Sequence, residues 1–209
     1  MINKILKIIF PKTCVLCGKI YKNWICPSCY QSLKKEIKMM QIKYKKLNIY
    51  FMSFYEGKIR KLLLEYKFKD KAYISNFFIE IMGKDKKFQK QLKNYDYIIA
   101  VPMYYIKQKE RGYNQAELLA EKMQEKFETK YLKNCLVKIK NNKKQSTLTE
   151  KERKENVKNV YKLEKDISQK RILLIDDIYT TGSTVKECIK ELKKGKPKII
   201  DIFVIAKRN

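Results

Sequence analysis

The chain has 209 residues, of which 44% are hydrophobic, and this suits one packed core domain with a small appendage. Its formal charge of +27 would attract nucleic acid, anionic lipid and phosphorylated substrates alike. Most of the positive residues are lysines, in a chain also rich in Asn, Ile and Tyr, so a biased coding composition explains the charge as well as a selected binding surface does. Because the chain contains no histidine, histidine triads, histidine metal sites and histidine general bases are excluded.

The first fourteen residues, MINKILKIIFPKTC, contain an apolar patch that Lys4 and Lys7 interrupt. The patch is too short for a signal peptide, and no later stretch approaches the length of a membrane span. We therefore expect a cytoplasmic protein without membrane insertion. In a reducing compartment, clustered cysteines indicate a metal site rather than disulfides, whereas the isolated Cys135 and Cys188 indicate burial.

Two CxxC pairs crowd the amino-terminal region and supply Cys14, Cys17, Cys26 and Cys29. This spacing predicts a structural Zn²⁺, because each tight turn presents two thiolates and a closed set of four sulfur ligands leaves no position for substrate. Four buried free cysteines are the alternative interpretation. A thioredoxin-like redox role is disfavoured, since neither pair follows a strand in a βαβ unit. We assign residues 1–45 to a zinc ribbon with Trp24 in its small core, and residues 46–209 to a second domain.

From Tyr50 onward, strand-like runs alternate with segments of helical periodicity. The predicted strands are 49–55, 97–101, 135–139, 171–176 and 198–206. The predicted helices are 58–66, 73–82, 114–127, 150–159 and 183–193. This alternation is typical of an α/β fold with a mostly parallel sheet and helices on both faces. Ligands in such folds bind beyond the carboxyl ends of the strands.

Two adjacent acids, Asp176 and Asp177, follow the buried apolar run 172–175, at the predicted end of a strand. The segment after them consists of Thr180, Thr181, Gly182, Ser183 and Thr184. This segment predicts a phosphate cradle at the start of the next helix, formed by its hydroxyls and backbone N–H groups. The helix dipole favours an anion there, and Gly182 allows the backbone to approach the phosphate closely. An ordinary strand, loop and helix with capping hydroxyls is the alternative. A Walker loop is excluded, because no Gly-Lys-Ser/Thr ends the segment.

The stretch ILLIDDIYTTGST resembles the phosphoribosyl pyrophosphate signature of type I phosphoribosyltransferases. The resemblance implies that Asp176 and Asp177 hold the ribose hydroxyls and that Thr180–Thr184 hold the 5-phosphate. A second block, AVPMYYIKQKERGYNQAELLA over residues 100–120, together with FPKTCVLCG and QSTLTEKERKENVKNVY, is similar to the ComF family. Proteins of that family join an amino-terminal zinc ribbon to a phosphoribosyltransferase domain, and many are associated with DNA uptake in natural transformation.

The resemblance also implies a type I phosphoribosyltransferase fold and a Mg²⁺ ion that bridges ribose hydroxyls and pyrophosphate oxygens. Lys107 and Arg111 are the candidate catalytic residues on the pyrophosphate side, in a basic loop that follows a strand ending at Pro102. Their charges would stabilise the leaving group. The polar segment 140–149 is expected either to close over the reacting centre as a lid or to serve as a basic connector.

Three functions stay open. The one that we expect is a phosphoribosyl pyrophosphate-binding protein that handles incoming single-stranded DNA during uptake. The others are an active phosphoribosyltransferase with an unidentified acceptor, and a metabolite sensor that scaffolds DNA-uptake proteins. Tyrosines interleaved with basic residues would either stack on bases or belong to the core. They are Tyr44, Tyr50, Tyr55, Tyr66, Tyr104, Tyr105 and Tyr113.

Overall fold

A computed structural model of the chain describes residues 13–68, 71–140 and 160–209. Its strands are β1 (Met40–Tyr44), β2 (Leu47–Phe54), β3 (Tyr97–Ala100), β4 (Leu136–Lys138), β5 (Tyr161–Leu163), β6 (Arg171–Tyr179) and β7 (Ile199–Lys207). Its helices are α1 (Pro27–Glu36), α2 (Gly57–Glu65), α3 (Ile74–Met82), α4 (Lys86–Leu92), α5 (Tyr105–Arg111), α6 (Gln115–Phe127) and α7 (Ser183–Leu192). Within these ranges no helix has the length and apolar character needed to cross a membrane.

Five strands form the main sheet in the order β1-β2-β7-β6-β3. Strands β2, β7, β6 and β3 run parallel, and β1 pairs antiparallel with β2 at one edge. The central β6 and β7 are continuous apolar runs, as is usual where both faces of a parallel sheet are covered. A separate antiparallel pair is formed by β4 and β5. The predicted α/β architecture with a mostly parallel sheet is therefore confirmed.

Alternate residues of the central strands point into two apolar cores, one on each face of the sheet. Leu173 and Ile175 of β6 pack in the core that α2, α3, α4 and α6 cover. Ile172 and Leu174 pack in the other core, beneath α7 and the β4–β5 pair. This division follows from the period-two alternation of side chains along a strand. Helices consequently lie on both faces, as the sequence predicted.

The five predicted strands all form, as do the four predicted helices that fall within the described residues. The periodicity missed β1, because that edge strand is mostly exposed and has no buried face. It also missed β5, a three-residue strand, and the helices α1, α4 and α5. The predicted helix 150–159 and all but the first residue of the predicted lid segment 140–149 lie outside the described residues.

The amino-terminal ribbon packs directly on the sheet domain. The ring of Trp24 lies 5.6 Å from that of Tyr73 and 6.0 Å from that of Phe77. Trp24 was expected to lie in a core of the ribbon alone, but it joins the ribbon to α3. The ammonium of Lys61 on α2 donates to the Leu16 carbonyl at 2.7 Å. The domain division at residue 45 stays a prediction, and β1 on its amino-terminal side pairs with β2 of the main sheet.

Candidate functional site

The two acids lie within β6, beside the point where β3 stops. The pairing of β3 with β6 ends at Ala100 and Ile175, and the amide of Val101 donates one more bond to the Ile175 carbonyl at 2.8 Å. Past this point β6 continues next to β7 alone. The expectation that Asp176 and Asp177 follow the end of their own strand was therefore wrong: the neighbouring strand ends, and a cleft opens at that step of the sheet.

The two carboxylates create a concentrated negative charge at this step. The amide of Asp177 donates to Oδ1 of Asp176 at 2.8 Å. Burial raises the pKa of the Asp176 carboxyl well above its usual range, the charge of Asp177 adds to the rise, and Lys67 partly opposes it. Hydroxyl donors or a divalent cation would stabilise such a pair.

The acids line a cleft of about 260 Å³ that also contains four cations, Lys67, Lys107, Arg111 and Lys138. Burial lowers the pKa of Lys107, and the charges of Arg111 and Lys67 add to this effect. Burial and the charge of Lys107 lower the pKa of Lys138 in the same way. Cations that repel one another in a partly buried site are stabilised by a polyanion, so this lining suits a pyrophosphate group.

Lys107 and Arg111 lie on a helix and not in the expected basic loop. Helix α5 ends at Arg111 and is capped by Gly112, whose φ of 88° is in the left-handed region that favours glycine. Residues four apart share one face of a helix, so Lys107 and Arg111 project together. Both line the cleft, as the sequence analysis required of a pyrophosphate-side pair.

The start of α6 ties this helix pair to the end of β3. The side-chain amide of Asn114 donates to the Val101 carbonyl at 3.0 Å, and its Oδ1 caps the first turn of α6. Buried Gln115 donates to the Tyr66 carbonyl at 3.3 Å, while its Oε1 accepts a bond of 3.3 Å from Arg111. These bonds hold the Arg111 guanidinium in position relative to the step between β3 and β6.

The predicted phosphate cradle, Thr180–Thr184, lies at the start of α7. Gly182 has a φ of 71°, and an added Cβ would lie 2.3 Å from the Tyr179 hydroxyl, so a side chain there would strain the backbone and displace the tyrosine ring. Thr184 lines the cleft of the acids, whereas the other four residues of the cradle are not part of that lining.

The four amino-terminal cysteines converge on one point. The sulfurs of Cys14, Cys17, Cys26 and Cys29 all lie within 4.8 Å of one another, and those of Cys17 and Cys26 are 3.8 Å apart. Zn–S bonds of about 2.3 Å place the sulfurs of a tetrahedral site about 3.8 Å apart, so the cluster fits Zn²⁺. Although burial opposes it, backbone N–H donors, that of Cys17 foremost, lower the pKa of the Cys14 thiol to about 6, whereas burial and the neighbouring cysteines raise the pKa of the Cys29 thiol to about 12. A bound Zn²⁺ would favour the thiolate form of all four.

Comparison with known proteins adds to this geometry. Residues 109–209 match the phosphoribosyl transferase domain family, and the matched region contains both acids and the predicted cradle. Competence protein F of Haemophilus influenzae is 32% identical over 152 residues, which cover 70% of this chain and 66% of that protein. The chain belongs to the ComF family.

Other relatives are more distant. DNA utilization protein YhgH of Escherichia coli is 27% identical over 112 residues, which cover 54% of this ComF-family chain and 49% of that protein. The chain thus spans 66% and 49% of the lengths of these two curated relatives. Among solved structures, adenine phosphoribosyltransferase from Thermoanaerobacter pseudethanolicus covers 85% of this chain and 98% of that chain, at 17% identity and a TM-score of 0.43. The domain match and the sheet topology confirm the predicted type I phosphoribosyltransferase fold, with a cysteine cluster at its amino-terminal end.

The ComF-family cleft also contains residues that the sequence analysis missed. Lys67, Lys138 and Tyr161 line it, and Nζ of Lys138 lies 5.8 Å from the centre of the Tyr161 ring. None of the three lies in a motif with recognisable chemistry. Asn114 and Gln115 were visible in the block RGYNQAELLA, and that specific stretch was the signal from which their positioning role could have been sought.

Proposed function

We propose that the cleft binds phosphoribosyl pyrophosphate together with Mg²⁺. The observation that carries the proposal is the presence, in one cleft, of two adjacent carboxylates and four cations. A sugar with free hydroxyls and a pyrophosphate complements both parts of this lining, because carboxylates accept bonds from hydroxyls and cations attract phosphate oxygens. The match of residues 109–209 to the phosphoribosyl transferase domain supports the same ligand.

Each candidate residue then has its own contact with the ligand. Asp176 and Asp177 accept hydrogen bonds from the ribose hydroxyls. The backbone amides and hydroxyls of Thr180–Thr184 bind the 5-phosphate, at the end of α7 where the helix dipole favours an anion. Lys107 and Arg111 bind the pyrophosphate, and the two further cations of the cleft lie beside them.

The arrangement also favours phosphoribosyl transfer as a second candidate function. Mg²⁺, held through the ribose hydroxyls that Asp176 and Asp177 position, would neutralise charge on the pyrophosphate oxygens. Attack of a nucleophile at the anomeric carbon transfers negative charge to the departing pyrophosphate. Lys107 and Arg111, which line the cleft, would stabilise that charge, which is an electrostatic form of catalysis.

We further propose that the protein serves DNA uptake by handling incoming single-stranded DNA. The names of its relatives, competence protein F and DNA utilization protein, support this role, as does the charge of +27. Phe68, next to Lys67 of the cleft, is 59% exposed, and Tyr105 on α5 is 67% exposed. Exposed rings beside cations suit base stacking with neutralised phosphates, whereas Tyr50 and Tyr66 are buried in the core.

The ligand is tested by thermal denaturation of the purified protein. Phosphoribosyl pyrophosphate with Mg²⁺ at about 100 times its Kd should add about 2.7 kcal/mol to the free energy of unfolding and raise Tm by about 5–10 °C. The double variant Asp176→Asn/Asp177→Asn should lose this shift, since it removes the charged acceptors. Asp166→Asn, at an exposed aspartate outside the cleft, is the matched control and should keep it. A full shift in the double variant would contradict the proposal.

Pyrophosphate release separates the transferase from the binding-only alternatives. The assay supplies phosphoribosyl pyrophosphate and Mg²⁺ with nucleobases, nucleotides or single-stranded DNA as acceptors. Acceptor-dependent release that disappears in Lys107→Gln and Arg111→Gln would assign the transferase. Binding without release would assign a ligand-sensing role, either in handling DNA or as a scaffold for DNA-uptake proteins.

A further inference from the structure

A second groove lies where the strands of the sheet begin, at the other end from the cleft. The amino-edge groove has a volume of about 450 Å³ and is lined by Leu92, Lys93, Tyr95–Tyr97, Phe127–Lys130 and Lys170. These residues come from the ends of α4 and α6, the start of β3 and the segment before β6. The amino-edge groove and the cleft share no lining residue, so a ligand in one leaves the other open.

Thr129 gives the amino-edge groove an unused hydrogen-bonding group. Within the described ranges, its Oγ1 is the one buried side-chain oxygen or nitrogen that has no hydrogen-bond partner. A buried hydroxyl without a partner destabilises the folded state. The Thr129 side chain lines the groove, and rotation about its Cα–Cβ bond moves the hydroxyl between staggered positions. A ligand in the groove can therefore supply the missing partner.

Three lysines make the amino-edge groove attractive to an anion. Lys93, Lys130 and Lys170 line it, and none of them forms an ion pair with a carboxylate in the part of the chain that the structure describes. They outnumber the two acids of the lining, Asp96 and Glu128. This small surplus of positive charge matches a single phosphate better than the repeated phosphates of a nucleic-acid backbone.

The other lining groups fit a nucleoside. Asp96 uses Oδ2 to accept a bond of 2.7 Å from the Arg171 amide, and its Oδ1 is left for a ligand hydroxyl. The partly buried rings of Tyr97 and Phe127 provide apolar surface for a flat base. The volume of the groove falls within the range of about 300–1,000 Å³ that is usual for small-molecule sites.

We infer that the amino-edge groove is a second ligand site, and that it takes a mononucleotide independently of the cleft. The phosphate contacts the lysines, the ribose hydroxyls reach Asp96, and the base lies against the two rings with the Thr129 hydroxyl at its edge. This assignment does not depend on the ligand of the cleft.

Equilibrium dialysis of the full chain with labelled adenosine and thymidine monophosphates tests the inference. Saturable binding is expected, and it should persist in Asp176→Asn/Asp177→Asn, so that failure at the cleft is distinguishable from failure here. Thr129→Val and Lys130→Gln should each weaken binding by about tenfold, the effect of one good hydrogen bond or charge contact. Lys126→Gln, at an exposed lysine of α6 outside the groove, is the control and should bind as the unaltered protein does.

Thr129→Val also has an expected effect on stability that runs opposite to its effect on binding. The free variant should melt at the same temperature or higher, because the change removes an unpaired buried hydroxyl. Weaker nucleotide binding in a protein of undiminished stability is a result that misfolding cannot produce. Three results would each overturn the inference: no saturable binding, binding that disappears with the cleft acids, or binding of oligonucleotides without binding of mononucleotides.

Discussion

At the scale of single residues, Asp176 determines the electrostatic character of the cleft. Its carboxyl lies on a central strand beside Asp177, and its burial and this neighbouring charge both raise its pKa. A carboxyl of this kind destabilises the free protein at any pH at which it is ionised. A ligand that supplies hydrogen-bond donors or a cation reduces this loss of stability. Conflict of this type between stability and ligand binding is common at functional sites.

Replacement of this one charge should stabilise the free protein. The pKa of Asp176 is higher in the folded chain than in the unfolded chain, so the folded state binds the proton more tightly and stability falls as pH rises through the interval between the two values. Because pH 7 lies above the ordinary aspartate pKa of about 3.9, a penalty from the raised pKa is present at that pH. Asp176→Asn, which can keep the bond from the Asp177 amide, should therefore raise Tm at pH 7, by about 2–4 °C for each kcal/mol recovered.

The pH dependence distinguishes this cause from a general effect of the substitution. Below the ordinary aspartate pKa of about 3.9 both folded and unfolded chains hold the proton, so the difference in Tm between Asp176→Asn and the unaltered protein should shrink as pH falls to that range. Thermal melts of both proteins from pH 4 to pH 8 measure it. A variant that is less stable at pH 7 would show that the carboxylate stabilises the fold. A Tm difference that stays the same at every pH would show a general effect of the substitution and would contradict the electrostatic cause.

At the scale of elements, the amino-terminal segment with the four-cysteine cluster supports α2 and α3. Trp24 packs on the ring of Phe77, Tyr30 packs on the same ring at 5.5 Å, and Lys58 of α2 pairs with Glu36 of α1 at 2.6 Å. Helix α1 begins directly after Cys26, so the metal ligands and the first turn of this helix form together. Loss of the metal should therefore loosen both the ribbon and its contact with α3.

Cys26→Ser should lose zinc and unfold the ribbon. The unaltered protein is expected to hold one Zn²⁺ per chain, and thiolate coordination supplies much of the folding free energy of such modules, of the order of 10–16 kcal/mol in zinc-finger peptides. Metal analysis measures the ion, and the emission of Trp24, the single tryptophan of the chain, reports on the ribbon. Cys135→Ser, at a buried cysteine outside the cluster, is the control and should keep its zinc. An unchanged ribbon without metal would rule out a structural role for zinc.

At the scale of the whole molecule, charge dominates. The chain has 49 Lys and Arg residues against 22 Asp and Glu residues. In the cleft, too, the four cations outnumber the two acids. Such a molecule produces a positive potential that concentrates polyanions at its surface. Attraction of this kind is independent of sequence and sensitive to salt, so it is measurable apart from any specific contact.

Single-stranded DNA should bind with little sequence preference and with an affinity that falls steeply as salt rises. Release of condensed counterions gives log affinity against log salt a slope of about −0.7 for each phosphate neutralised. Tyr105→Ala and Phe68→Ala should each cost about 1–3 kcal/mol of binding if their exposed rings stack on bases, and should leave that slope nearly unchanged. Fluorescence anisotropy across a salt series measures both quantities. The control is Tyr44→Ala, at an exposed tyrosine of the edge strand β1 that does not line the cleft, and it is expected to bind normally.

Competition between phosphoribosyl pyrophosphate and single-stranded DNA locates the DNA on the protein surface. If a DNA phosphate enters the cleft beside Lys107 and Arg111, phosphoribosyl pyrophosphate should displace the DNA. Independent binding would place the DNA on the ribbon or on the outer lysine-rich helices. A protein that ignores single-stranded DNA even at low salt would mean that the charge reflects composition, and the role in DNA uptake would then pass through partner proteins.

The sequence by itself determined the local chemistry of this protein. The paired CxxC motifs, the apolar run 172–175, the acids Asp176 and Asp177 and the segment Thr180–Thr184 are recognisable because their meaning depends on residues that are neighbours in the chain. The same holds for the fold class, since alternating strand and helix periods are local signals of a mostly parallel sheet.

The tertiary structure alone decided which distant side chains share a site. Lys67 and Lys138 line the cleft of the acids from positions far apart in the sequence, and Lys107 and Arg111 prove to be helical. The amino-edge groove draws on α4, α6, β3 and the segment before β6. The position of the cleft depends on where β3 ends relative to β6, which is a matter of register between strands. Local periodicity carries no such information, because the packing of whole elements sets their relative positions.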